Sequence, residues 1–218
     1  MRLLHSSRLE MTYFIADEDI PPYAILSHTW GEEEVSLQDW QSLSSSDINF
    51  KRGYSKIKRC CEQAQHDGLE WAWLDTCCID KTSSAELSEA INSMFRCCMD
   101  VPALEFNLAR SRWFTRGWTL QELIAPANLI FFSMDWRPLG TKSQLHNILS
   151  SITGLEKKFL NSKNLELASI AKKMSWAASR KSSRIEDTAY SLLGIFDNDM
   201  RLIYGEGKRP LRDSKKSY

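Results

Sequence analysis

Tyr23-Ala-Ile-Leu-Ser-His-Thr-Trp-Gly31 is the stretch from which the fold is read. Pro21 and Pro22 stand before it, and the uncharged run Tyr23 to Ser27 is short and apolar, which reads as a buried strand. The run stops at His28 and opens into a loop, where Gly31 permits a tight turn and Glu32 to Glu34 face solvent.

Outward from it, Ser55 to His66 sets Ile57, Cys60, Cys61 and Ala64 on one helical face, with Gly68 as the stop. Trp71-Ala-Trp-Leu-Asp75 is a second strand, too short and too apolar for anything else, and it ends in Thr-Cys-Cys-Ile-Asp80. Ser83-x-x-Glu86 is a capping box that launches a helix with Leu87, Ala90, Ile91 and Met94 inward. Cys97 to Leu108 shows neither period and receives no assignment. Arg116-Gly-Trp-Thr-Leu-Gln-Glu-Leu123 starts a helix ended by Pro126, and Leu129 to Phe132 is a third strand. Beyond Thr141 the spacing is helical over 142–151, 165–178 and 184–195. Strands alternating with helices predict an α/β fold: a parallel sheet flanked by helices, with a mostly helical C-terminal part.

The 218 residues suffice for one large domain with a real core. Basic and acidic residues balance at 28 each, so no electrostatic footprint for nucleic acid or an anionic membrane is visible. The six Cys form three adjacent pairs, at 60–61, 77–78 and 97–98, with no Cys-x-x-Cys spacing. No signal peptide and no long apolar run is present, which points to a reducing, cytoplasmic setting. His5, His28, His66 and His146 stand in no zinc-ligand spacing with the Cys, so no metal is expected.

In a parallel sheet, ligands gather at the carboxyl ends of the strands. Here those ends carry Ser27, His28, Trp30 and Gly31 after the first strand and Asp75 after the second. At 100° per residue the third block adds Trp118 and Glu122 on the helix face opposite Leu120, Leu123 and Ile124. Each has a plainer reading. Glu122 favours the helix dipole and is solvated; His28 bonds a backbone carbonyl; Asp75 caps a turn; Arg116 is a surface partner. Cys77 and Cys78 beside His28 suggest a thiol nucleophile, against the commoner role of buried Cys as packing.

Three segments, Tyr23–Gly31, Trp73-Leu-Asp-Thr-Cys-Cys-Ile-Asp80 and Arg116-Gly-Trp-Thr-Leu-Gln-Glu122, together resemble the HET (heterokaryon incompatibility) domain of filamentous-fungal proteins. The likeness continues through Ile185-Glu-Asp-Thr-Ala-Tyr190 and Tyr204-Gly-Glu-Gly207. It implies a lead-in over 1–20, a HET core over 21–140, a helical part over 141–207 and a polar tail over 208–218. It also implies a role in non-self recognition and programmed cell death, with self-association through the domain. Departures are Lys81 after Asp80, where relatives carry Gln, and few residues between Phe95 and Asp100, where relatives carry a strand. The expectation is therefore a sheet lacking one central strand, and a degenerate or truncated copy is one reading of it.

The HET domain in turn resembles TIR domains, which have a flavodoxin-like sheet, and Trp118-x-x-x-Glu122-Leu123 is similar to a TIR signature. Some TIR domains hydrolyse NAD. That likeness implies Glu122 as the catalytic carboxylate, NAD as substrate and no resident cofactor. Trp118 or Trp30 would stack on a base, while Ser27, His28 and Gly31 would line the pyrophosphate side and Arg116 would grip a phosphate. The competing implication is a non-catalytic module acting by HET–HET contact.

Overall fold

The computed structural model describes residues 1–42, 45–90, 103–104, 111–133, 135–160, 162–197 and 203–205. Its strands are β1 (Arg2–His5), β2 (Met11–Tyr13), β3 (Tyr23–Leu26), β4 (Trp71–Leu74), β5 (Ala103–Leu104), β6 (Leu129–Phe132) and β7 (Pro138–Thr141). They form one mixed sheet in the order β2-β1-β4-β3-β5-β6-β7. β3 runs parallel to β4, from Tyr23 beside Trp71 to Leu26 beside Leu74. β5 lies between β3 and β6 and is parallel to both. Both edges are antiparallel, with β1 against β4 and β2 on one side and β7 against β6 on the other.

The fold class is thus mixed α/β, and two expectations change. The sheet is not wholly parallel, because strands the sequence pattern does not announce close both edges. Nor is the centre of the sheet without a strand between β3 and β6. β5, two residues long, stands in the stretch that carried no assignment. The other half of the expectation holds at the centre: all four residues of β3 are buried, as befits a strand covered on both faces.

The helices are α1 (Leu37–Ser42), α2 (Ser45–Asn49), α3 (Arg52–His66), α4 (helical over 84–90), α5 (Thr119–Ile124), α6 (His146–Thr153), α7 (Ile170–Ala177), α8 (Asp187–Tyr190) and α9 (Leu193–Phe196). α3 buries Ile57, Cys60, Cys61 and Ala64, the predicted face, but begins a turn earlier than expected. That first turn contains Gly53, whose N–H donates to the Glu33 carbonyl at 2.9 Å. A Cβ at Gly53 would stand 2.8 Å from that oxygen and 2.8 Å from the Glu34 Cα, so only glycine lets the chains approach so closely. The capping box is half formed. Ser83 Oγ accepts the Glu86 N–H at 3.3 Å, while the Glu86 carboxylate turns to the Asp80 N–H at 2.8 Å and to Arg2 of β1.

Beyond β7 the helical pattern is real but more broken than the spacing suggests. The expected 165–178 helix divides into a 3-10 segment, Ser162–Leu167, and α7; 184–195 yields α8 and α9. Ser169 caps α7 by accepting the Lys172 N–H at 3.3 Å. Cys97, Cys98 and the tail over 208–218 lie outside the described residues.

Of three apolar clusters among the described residues, the smallest gathers Ala189, Tyr190 and Leu193, and the two larger ones pack on the sheet. One joins β1, β3, β4 and α3 through Leu3, Leu4, Ile25, Leu26, Ile57 and Leu74. The other gathers Trp113, Leu120, Leu123, Phe131, Leu149, Phe159 and Trp176 around α5 and β6. α5 departs most from its sequence reading. It is six residues long and every one is buried, including Gln121 and Glu122, so its polar face looks into the protein.

Candidate active site

A cavity of about 280 Å³ opens at the carboxyl ends of β3 and β4. His28, Trp30, Asp75, Arg116, Trp118 and Glu122 all line it, although they come from three separate blocks of sequence. Two further candidates lie off the wall. Ser27 is buried behind it, and Gly31 is exposed with its N–H donated to Glu34 Oε1 at 2.6 Å.

Glu122 is held by a relay. The Trp113 indole N–H donates to Ser27 Oγ at 2.6 Å, and the Ser27 hydroxyl donates to the Glu122 carboxylate. The solvated-carboxylate reading of Glu122 is therefore wrong: it is only 8% exposed. Burial pushes its pKa up; the Ser27 hydroxyl opposes that, the Asp75 charge adds to it, and the result is about 7. Half-ionised near neutrality, such a carboxyl can hold or release a proton, the property general acid–base groups need.

His28 sits between two carboxylates. Its Nε2 is 3.7 Å from Glu34 Oε2 and its Nδ1 is 3.9 Å from Asp75 Oδ1. These distances exceed hydrogen-bond range, and among the described residues neither ring nitrogen has a hydrogen-bond partner. Asp75 Oδ1 is likewise buried without one, while Oδ2 accepts the Trp30 indole N–H at 2.8 Å. Buried polar atoms are normally paired, so open atoms on a cavity wall mark places a polar ligand can complete. Among the described residues no backbone carbonyl meets the His28 ring.

Glu34, which the sequence reading left in solvent, is mostly covered instead. Burial raises its pKa, but the His28 ring, the Lys56 ammonium at 2.5 Å and the Gly31 N–H outweigh that and hold it at about 2. Lys81 also lines the cavity, with its ammonium 3.4 Å from the centre of the Trp30 ring. Burial lowers its pKa, against the pull of Asp75.

Another part of the wall comes from Lys181, Ser182, Ser183 and Arg184, which the sequence reading passed over, and from Asp187 and Tyr204, which it quoted only as part of the family resemblance. The available signal was the run Arg180-Lys-Ser-Ser-Arg184, basic and hydroxylic just ahead of the Ile185–Tyr190 block. Arg180 itself is buried, donating to the Arg116 carbonyl and to Thr119 Oγ1, each at 2.9 Å. Burial lowers its pKa to about 10, against the attraction of Glu122. Asp187 accepts the Tyr204 hydroxyl at 3.1 Å, and burial raises both their pKa values.

Thiol chemistry finds no support. Cys60, Cys61, Cys77 and Cys78 are free and buried. Burial raises the thiols of Cys60 and Cys61, the latter to about 12; contact with Cys78, then burial, raises that of Cys77. Among the described residues no group of His, Cys, Asp or Glu is arranged to hold a metal ion, and no helix is long and apolar enough to cross a membrane.

Fold and site together define an α/β domain with a ligand cavity at its strand ends, one buried carboxylate and a basic wall. The heterokaryon incompatibility protein (HET) family model matches residues 23–97, which include β3, β4 and the first half of that cavity. The chain is also 43% identical, over 233 aligned residues covering 95% of it, to vegetative incompatibility protein HET-E-1 of Podospora anserina. It is a HET-domain protein. It spans 17% of the length of that relative. No solved structure matches it.

Proposed function

We propose that the chain is an effector domain of fungal heterokaryon incompatibility, and that its cavity hydrolyses NAD at the nicotinamide–ribose bond to trigger cell death. The order of its parallel strands, β4-β3-β5-β6, with the cavity at the carboxyl ends of β3 and β4, supports reading the sheet as flavodoxin- or TIR-like. The observation that carries the reading is Glu122: a buried carboxyl on the cavity wall, fixed by Ser27 and flanked by Trp118.

In this reading the C–N bond to nicotinamide breaks and the pair leaves with the neutral base. The ionised Glu122 stabilises the oxocarbenium-like ribose, as carboxylates do at glycosidic centres. Water adds to the ribose and its proton passes to Glu122 or solvent, leaving ADP-ribose and nicotinamide. Trp118 or Trp30 offers a ring face for stacking. His28 and the open oxygen of Asp75 suit hydroxyl groups of the ribose. A cytoplasmic setting fits the free thiols.

The test is release of nicotinamide from NAD by the clustered domain, compared with Glu122→Gln. Because the carboxylate is the working form, wild-type release climbs as pH rises through about 7. No release by folded, clustered wild type sinks the enzyme reading and leaves homotypic HET–HET association as the domain's role. Release that Glu122→Gln does not diminish sinks the assignment of Glu122.

A further inference from the structure

The chain is electrically neutral, yet one wall of the cavity is not. Arg116, Lys181 and Arg184 stand on it together, and among the described residues none of the three makes an ion pair with a carboxylate. Elsewhere pairing is common: Lys51 meets Asp39 at 2.7 Å, Arg137 meets Asp135 at 2.8 Å, and Lys56 meets Glu34. The acid in the wall, Asp187, is engaged by the Tyr204 hydroxyl, and the Arg184 guanidinium lies 4.6 Å from the centre of that same Tyr204 ring. Three cations against one acid leave this wall positive, and a positive concave surface raises the local concentration of anions.

The wall is also built rigidly. Arg116 and Lys181 form a parallel bridge. The Lys181 N–H donates to the Thr115 carbonyl at 2.7 Å, and the Gly117 N–H donates to the Lys181 carbonyl at 2.9 Å. Arg180 stitches the two segments from behind through the Arg116 carbonyl and Thr119. Gly117 has no side chain, and a Cβ there would collide with the Ser182 hydroxyl and come within 2.9 Å of Ser191 Oγ. The absent side chain lets the loop over 180–184 lie flat against the start of α5, which puts Ser182, Ser183 and three cations on one face.

We propose that these two zipped segments form an anion subsite that takes the diphosphate of a dinucleotide, with Arg116, Lys181 and Arg184 as cations and Ser182 and Ser183 as hydroxyl donors. This deepens the NAD reading above and rests on it for the rest of the ligand. Guanidinium and ammonium groups beside hydroxyls suit the tetrahedral, multiply charged oxygens of phosphate, whereas one carboxylate would satisfy only one Arg. Glu122 lines the same cavity, so a diphosphate anchored here leaves the sugar next to it within the site. The substrate class is then a nucleoside diphosphate conjugate, and a nucleoside without phosphate is a poor ligand.

Calorimetry with inorganic pyrophosphate, ADP-ribose and nicotinamide riboside tests this on the wild-type chain, on Lys181→Ala/Arg184→Ala and on Glu122→Gln. Lys181 and Arg184 are exposed, so their loss leaves the core packing untouched, and melting curves check this. Pyrophosphate and ADP-ribose should bind the wild type, weaken roughly tenfold or more in the double variant and weaken with added salt. Pyrophosphate should bind Glu122→Gln as well as it binds wild type. Failure of the wild type to bind either phosphate ligand overturns the subsite, as does equal binding by the double variant. If the double variant does not fold, Lys181→Gln/Arg184→Gln carries the same comparison. The two proposals fail separately: pyrophosphate binding without nicotinamide release removes the hydrolysis and keeps the subsite. Release with an unchanged KM for NAD in the double variant, and no pyrophosphate binding, does the reverse.

Discussion

A single carboxyl carries a measurable thermodynamic signature. The pKa of Glu122 rises from 4.5 to about 7 on folding, with burial as the main cause. The folded state therefore binds more protons than the unfolded chain between those values, and stability falls as pH rises through that window. Below about 4.5 both states are protonated and nothing is lost; above about 7 the loss is complete, on the order of 3 kcal/mol. Glu122→Gln keeps an acceptor for the Ser27 hydroxyl and removes the titration. Denaturant unfolding from pH 5 to pH 8 should show the variant gaining on wild type as pH rises, by about 2–3 kcal/mol at the upper end. A gap that stays constant with pH contradicts the burial argument. Ser27→Ala acts oppositely: it strips Glu122 of its donor, leaves the Trp113 N–H unpaired and should cost about 1–3 kcal/mol in the same assay. A loss of only a few tenths would mean that the relay does not form.

At the scale of elements, α5 is held at its far end by an unusual cap. Lys142, the residue after β7, is buried, and its ammonium donates to the Leu123 and Ile124 carbonyls at 3.2 and 3.3 Å and to that of Pro126. These are the oxygens a helix terminus leaves without an internal partner. Burial lowers the Lys142 pKa to about 8, so the folded state loses its proton more readily than the unfolded chain, and this group's contribution to stability grows from about pH 8 towards 10.5. Lys142→Met fills the space without the donor and should cost about 1–3 kcal/mol at neutral pH by chemical denaturation. An unchanged midpoint would show that the carbonyls find other partners.

The same region shows what a sequence can disclose. β3, β4 and β6 are legible because each is an unbroken apolar run, the pattern of a strand buried on both faces. β7 is not, since Pro138 and Gly140 are residues that argue against a strand. β2 is mostly exposed and offers no alternation to read. The strand-end rule picks out His28, Trp30 and Asp75, helix periodicity picks out Glu122, and the fold brings all four to one cavity. The basic, hydroxylic run Arg180 to Arg184 is visible in the sequence, but its place at the cavity is not, since a tertiary bridge to Arg116 brings it there across more than sixty residues.

Across the whole molecule, the cavity lies over the seam between two apolar clusters. His28 and Asp75 follow β3 and β4 of the first cluster, while Glu122 belongs to α5 of the second. Beside the apolar bridge of Ala125 and Phe132, which belong to the first cluster, a buried polar link crosses the seam: Ser27 beside β3 joins Trp113 and Glu122. Proteins open in cooperative units of unequal stability, and a seam crossed by hydroxyl and carboxyl contacts is a natural boundary between two of them. A ligand touching both walls binds neither unit alone, so it must stabilise both, by about 2.7 kcal/mol at a hundred times its Kd. Hydrogen exchange followed by mass spectrometry checks this. With saturating ADP-ribose, amides of β3 and of α5 should slow together, by roughly a hundredfold where sub-global opening governs exchange. In Lys181→Ala/Arg184→Ala both effects should shrink in parallel. Slowing confined to α5 and the loop over 180–184 would place the ligand on one wall only, and His28 and Asp75 would then have no ribose hydroxyls beside them.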